Sequence, residues 1–213
     1  MRRALALLLA LVAAAGAGAE ERRGTPGEFD FYVLALSWSP GFCDATGRER
    51  GSPQCESGRR LGFVVHGLWP QYERGFPRSC DSRGAPAAVV AETADIFPDP
   101  GLARHQWRAH GTCSGLPPAE YFQATRRARD AVRIPDRLLA PSRDGETDPL
   151  TIERAFAAAN PGLRPDMMAV TCRRGALEEV RICLTRDLRG FRPCPEVDRN
   201  ACRFGRVQVT APR

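Results

Sequence analysis

The sequence predicts an α+β fold: a single domain with a central, mainly antiparallel β-sheet flanked by helices and stapled by disulfides. Three observations carry that expectation. Strand-like stretches come early and late in the 213-residue chain, with the helical ones between them, which favours an antiparallel sheet over a regular alternation of strand and helix. The eight cysteines form an even set, and in an exported chain such a set reads as a framework of up to four disulfides rather than metal sites; no pair has C-x-x-C spacing. No internal repeat, low-complexity tract or linker divides the chain.

Residues Met1 to Ala19 carry Arg2 and Arg3, an apolar run from Ala4 to Ala15, and the small-residue ending Ala17-Gly18-Ala19. This is the pattern of a secretory signal peptide. At about 12 residues the run is too short to span a bilayer, where roughly 20 are needed. Removing these 19 residues from 213 leaves 194, the domain 20–213, which is long enough for a sizeable core. The periplasm or the extracellular medium is the expected location. Cleavage takes away two of the 31 basic residues and none of the 25 acidic ones, for a net charge of +4. Every basic residue is arginine. A mild positive balance suits a polyanionic partner, although it speaks mainly to solubility and encounter rate. The cluster Arg126-Arg127-Ala128-Arg129 is expected as the wet face of a helix.

Phe29 to Trp38 alternates and is rich in strand formers, Gly62 to His66 is a short apolar run, and Met167 to Cys172, Leu177 to Leu184 and Phe204 to Val209 also read as strands. Helices are expected over Ala87 to Ile96, Leu102 to His110, Pro118 to Val132 and Pro149 to Ala159. The last has Asp148 as N-cap and Pro149 in its first turn, and stops before Asn160-Pro161-Gly162.

The chemistry is concentrated in the histidines, of which the chain has three. Two lie in Leu102 to Gly115, reading LARHQWRAHGTCSG; the third, His66, lies in Phe63-Val64-Val65-His66-Gly67-Leu68-Trp69-Pro70. A lone histidine is more often structural than catalytic. Three confined to two short motifs suggest a site that needs an acid and a base near neutral pH. Gly67 and Pro70 are expected to break regular structure, placing His66 where a strand opens into a loop. On a helix, Gln106 and His110 share one face, as do His105 and Ala109, with Gly111 as the stop. His105 and His110 are five apart with no glutamate after the first, so the zinc-protease pattern fails. A zinc set of His105, His110 and Cys113 is disfavoured, and no metal or other cofactor is expected.

His66-Gly67-Leu68-Trp69-Pro70 and His105-Gln106-Trp107-Arg108-Ala109-His110-Gly111-Thr112-Cys113 resemble the two active-site segments of the ribonuclease T2 family. Phe29-Asp30-Phe31-Tyr32 through Cys43 and Asn160-Pro161-Gly162-Leu163 through Cys183 are similar to its first strand and its late strand region, so the likeness covers most of the mature chain. The resemblance implies a monomeric secreted or periplasmic endoribonuclease with little base preference, acting on single-stranded RNA, needing no metal and leaving 2′,3′-cyclic phosphate ends. It implies His110 as general base, His66 as general acid, Gln106 as a third catalytic group, and His105 and Trp69 as substrate-binding residues. It also implies four disulfides: Cys43 with Cys55, Cys80 with Cys113, Cys172 with Cys202, and Cys183 with Cys194. The chain departs from the family where glutamate and lysine are usual, having Gln106 and Ala109. An amide still donates a hydrogen bond but carries no proton away, and loss of one preorganised donor typically costs about 10²- to 10³-fold. A slower enzyme is therefore expected. The alternative is a silent family member that binds RNA or a protein on the same scaffold.

Overall fold

A computed structural model describes residues 21–22, 24–139, 141–202 and 205–213. The predicted signal segment Met1 to Ala19 lies outside them, and so does Phe204, the first residue of the last predicted strand. In chain order the strands are β1 (Glu21–Arg22), β2 (Phe31–Trp38), β3 (Phe63–Gln71), β4 (Phe76–Pro77), β5 (Gly145–Thr147), β6 (Met168–Arg173), β7 (Ala176–Thr185) and β8 (Val207–Val209). The helices are α1 (Ser39–Phe42), α2 (Ala87–Ala91), α3 (Pro100–Ala109), α4 (Pro118–Asp130), α5 (Asp136–Leu139), α6 (Pro149–Ala159) and α7 (Pro195–Arg199).

The sheet is built on β3-β2-β7-β6, every neighbour antiparallel. At its far end β8 meets β7 in parallel at one pair, Ala176 and Gln208, and pairs with β5 antiparallel. β1 and β4 form a separate parallel pair. The fold is thus α+β and mainly antiparallel, as the order of elements suggested. All eight residues of β2 are buried, which explains why Phe31–Trp38 is almost wholly apolar: a strand covered on both faces cannot show a polar side. One face, with Leu34, Leu36 and Trp38 of β2, Val180 and Ile182 of β7 and Met168 of β6, packs under Trp107, Tyr121, Ile152 and Phe156 of the helices. The other carries a smaller cluster, Phe31, Val33, Ala169, Cys183, Cys194 and Val197, with Trp69 packed against it.

Three sequence expectations are corrected. β3 does not end at His66 but runs on to Gln71, through Gly67 and Pro70. Proline is tolerated because β3 is the edge of the sheet and an edge strand has N–H positions that no neighbour requires. The helix expected over Ala87 to Ile96 stops at Ala91, and Thr93, whose side chain bonds back to Val90 O at 2.7 Å, turns the chain there. α3 begins two residues earlier than expected, because Asp99 caps it by accepting from Gly101 N at 2.7 Å and Pro100 occupies the first turn. α6 has the bounds and the Asp148 cap expected of it.

One hydrogen bond ties the edge strand directly to the helical layer. The hydroxyl of the fully buried Tyr121 donates to Leu68 O at 2.9 Å, satisfying a β3 carbonyl. The expected wet cluster on α4 is partly used in structure: Arg126 pairs with Asp95 at 2.7 Å and bonds Glu92 O at 3.0 Å, while Ala128 is buried. The eight cysteines join as Cys43–Cys55, Cys80–Cys113, Cys172–Cys202 and Cys183–Cys194. Replacing Tyr121 by Phe leaves the Leu68 carbonyl unsatisfied in the interior, and is expected to cost about 1–3 kcal/mol. That should lower Tm by about 2–4 °C per kcal/mol in a chain of this size, as measured by thermal unfolding; an unchanged Tm would show the bond adds nothing to stability.

Candidate active site

The site starts from one extra residue. In the pairing of β2 with β3, Leu36 faces Val65 and Ala35 faces Gly67, so His66 falls in a bulge with no partner. A bulge turns two successive side chains toward one face, here the face that carries Trp69 and, on β7, Glu179 and Arg181. Gly67 follows from the same crowding: a Cβ there would lie 2.2 Å from Gln106 Oε1 and 2.3 Å from Trp69 Nε1. Under the bulge β2 presents its smallest residues, Ala35 opposite Arg181 and Ser37 opposite Glu179. That leaves room above β2 for side chains from β3 and β7 to meet. His66 Nδ1 is hydrogen-bonded to Glu179 Oε1, and Glu179 Oε2 accepts from Arg181 Nε at 2.8 Å.

The second wall is the C-terminal end of α3. Ser79 N donates to Ala109 O at 2.9 Å, Trp107 Nε1 donates to Arg83 O at 2.7 Å, and the Cys80–Cys113 disulfide closes the same corner. The loop after β3 is therefore held to the helix end at three points. His110 caps α3, its N–H donating to Gln106 O at 3.0 Å. α3 stops just before Gly111, as expected, although Gly111 is not left-handed. It is the start of a 3₁₀ turn, and it is glycine because a Cβ would come within 2.5 Å of Trp107 and 2.9 Å of Tyr121.

Trp69 joins the two walls. Its Nε1 donates to the buried Gln106 Oε1 at 2.8 Å. Its ring centroid is 5.2 Å from that of His66 at 80° and 5.3 Å from that of His110 at 31°, with the Arg181 guanidinium 5.2 Å away. Of the predicted site residues, His66, Trp69, Gln106 and His110 are thus in one connected group. His105 is exposed on α3 and lines, with His66 and Glu179, a cavity of about 530 Å³. His110 and Trp69 line a neighbouring cavity of about 240 Å³, with Phe76, Arg78 and Arg181. Ala109 is buried, so the positive charge lining the smaller cavity beside His110 comes from Arg78 and Arg181, which lie outside α3. The carboxylate partner of His66 and both cavity arginines escaped the sequence reading. A usable signal was Glu179 within β7, because a glutamate in a strand paired on both sides needs a partner.

Burial, followed by the Arg78 charge, holds His110 down to about 3, well below its ordinary 6.5. Its Nδ1 is buried without a hydrogen-bond partner among the described residues, which further disfavours the doubly protonated ring. Partial desolvation, then the charges of Arg78 and Arg108, also hold His105 below its ordinary value. For Glu179 burial opposes ionisation, but the His66 hydrogen bond and the charges of His66 and Arg181 outweigh it and bring the carboxyl from 4.5 to about 2. The two groups together make a site that is neutral at His110 and anionic at Glu179 near neutral pH.

Residues 29–194 match the model of the Ribonuclease T2 family. A ribonuclease of Aeromonas hydrophila is 38% identical over 191 residues, covering 88% of this chain and 86% of that one. Among solved structures, the RNase-related protein from Calystegia sepium superimposes with a TM-score of 0.65 at 22% identity, over 87% of this chain and 98% of that one. A mutant of ribonuclease MC1, a protein of bitter gourd seeds, in complex with 5′-UMP gives 0.64 at 22% identity, over 77% and 92%. At that identity the two structures speak to the fold.

Two outcomes follow from the site's packing and charge. Gly67→Ala is expected to force the Gln106–Trp69 pair apart and to cost about 1–3 kcal/mol in denaturant unfolding, as overpacked cores do. The pH dependence has a definite sign. Above pH 6.5 neither the folded nor the unfolded state protonates His110; as pH falls from 6.5 toward 3 the unfolded chain takes up the proton first, and the folded state loses stability. Glu179 adds a loss of the same sign between 4.5 and 2, where the unfolded carboxyl protonates and the folded one does not. A His110→Gln variant should therefore show a shallower decline between pH 6.5 and 4.5 than the parent, by up to about 1.4 kcal/mol per pH unit. Denaturation series at stepped pH measure it, and parallel curves would refute the buried neutral state.

Proposed function

Because the chain belongs to the ribonuclease T2 family, we propose that it is an endoribonuclease that cuts single-stranded RNA without a metal, with low base specificity, transferring the phosphoryl group to the neighbouring 2′-hydroxyl. The observation that carries this reading is the meeting of His66 and His110 at Trp69 from two different elements, a strand bulge and a helix end. In-line displacement puts the attacking and leaving oxygens on opposite sides of phosphorus, so base and acid must approach from different directions.

His110, kept neutral by burial, accepts the 2′-hydroxyl proton; a phosphate bound beside it favours that proton's arrival by its negative charge. The O2′–P bond forms, the P–O5′ bond breaks, and protonated His66 gives a proton to the leaving O5′. The products are a 2′,3′-cyclic phosphate and a free 5′-hydroxyl, and water entering by the reverse proton transfers opens the cycle. Each transfer is worth about 10²- to 10⁴-fold. His105 holds the phosphate from the larger cavity. The Gln106 amide, its oxygen taken by Trp69, has its NH₂ for a phosphoryl oxygen. Arg78 and Arg181 in the smaller cavity supply cationic charge at a site where α3 offers Ala109. The part of Trp69 that lines this cavity suits a base, whose stacking is worth about 1–3 kcal/mol and tolerates any sequence. DNA has no 2′-hydroxyl and is not cut.

The same reading places the chain in the periplasm or the medium, as a monomer after removal of its leader. Its four disulfides belong to oxidising compartments, and among the described residues no helix is long and apolar enough to cross a membrane. The test is digestion of a defined RNA, with EDTA present, by protein beginning at Glu20. Cyclic-phosphate ends are expected, and His66→Ala and His110→Ala should each lower the rate by about 10²- to 10⁴-fold. Intact RNA with the folded parent, or full cleavage by either variant, would refute the assignment.

A further inference from the structure

Glu179 takes no part in the reaction as just described, yet it is a buried carboxylate, 4% exposed, bonded directly to one of the two proton-transferring histidines. It reaches His66 from β7, two strands away from β3, a span of about 9–10 Å at ordinary strand spacing. Three features make that reach possible: the bulge that re-aims His66, the small Ser37 opposite Glu179 on β2, and Arg181 gripping the second carboxylate oxygen at 2.8 Å. Glu179 therefore has one oxygen committed to His66 and the other to Arg181. Burying a carboxylate is costly unless its charge is paired, and here both partners belong to the site.

On this geometry we infer that Glu179 is a positioning residue for His66, holding the proton on Nδ1 so that Nε2 faces the leaving O5′. The inference rests on His66 being the acid. In the protonated ring Nδ1–H stays with Glu179 and Nε2–H is the proton given up. Once it has been given, the neutral ring is left with its proton on Nδ1 and a lone pair on Nε2, which is the form that accepts a proton from water when the cyclic phosphate is opened. A carboxylate hydrogen-bonded to one ring nitrogen selects the tautomer at the other in this way. Arg181 serves both groups: its Nε orients the carboxylate, and the rest of its guanidinium lies along Trp69 in the smaller cavity.

Two substrates separate this role from a structural one. A ribodinucleotide leaves through a poor alkoxide and needs the acid; uridine 3′-(4-nitrophenyl phosphate) leaves as a stabilised phenolate and does not. Glu179→Gln, which keeps size and shape, should lose about 10²-fold in kcat on the dinucleotide and change by no more than about 3-fold on the nitrophenyl ester. The second rate also reports that the variant is folded. Equal losses on both substrates, or no loss on either, would overturn the inference. His66→Ala run alongside tests the premise: with His66 as the acid it too loses only the dinucleotide, and equal loss on both substrates would instead remove His66 from the acid role. A measurement on the parent needs no variant. Nitrogen-15 NMR above the titration of His66 should find the proton on Nδ1, and a proton on Nε2 would overturn the inference.

Discussion

Between Val65 and Gly67, β3 carries one residue more than β2 can pair, and the site is arranged around the consequence of that mismatch. A register slip of one would send a whole strand's core residues to the wrong face; a bulge moves one residue only. Val65 and Leu68 remain in the main core, while His66 turns toward the opposite face and Trp69 sits there with it. The requirement for glycine at 67 follows from the bulge and from what packs over it, since Gln106 and Trp69 fill the space a side chain would need.

The opposite wall had to be brought to that bulge and held. A helix end is a poor place for precision, because its last carbonyls lack partners and fray. Here Ala109 O accepts from Ser79, Trp107 is tethered to Arg83, and Cys80–Cys113 bridges the same two segments. Tyr121 ties the helical layer to the β3 backbone between His66 and Trp69. His66 and His110 consequently share one neighbour, Trp69, although they come from segments with no common secondary structure. The same packing desolvates His110, so the constraint that positions the ring also keeps it neutral.

Much of this was legible in the residues. The pairing of His66-Gly67-Leu68-Trp69-Pro70 with the α3 motif marked the site, the Asp148–Pro149 start and the Asn160-Pro161-Gly162 stop marked α6, and the early and late strand formers marked an antiparallel sheet. What was misread was local and had a common cause. Gly67 and Pro70 looked like breakers because their propensities are those of isolated segments, whereas at a sheet edge proline loses nothing and at a bulge glycine is required. Gly111 does follow the end of α3, but glycine is needed there because Trp107 and Tyr121 come too close for a Cβ and not because the backbone turns left-handed.

By itself, then, the sequence determined the class of fold, the two motifs, the three histidines and the family they resemble. Periodicity, capping residues and motif spacing are properties of neighbours along the chain. Only the tertiary structure decided that Glu179 meets His66, that Arg78 and Arg181 rather than a residue of α3 bring positive charge to the cavity beside His110, and that Ala109 is buried. Those contacts join residues as much as 113 positions apart, and they arise because β7 pairs with the strand next to β3. Strand order across a sheet is set by how whole faces bury one another, and nothing in the local sequence of β3 or β7 encodes it.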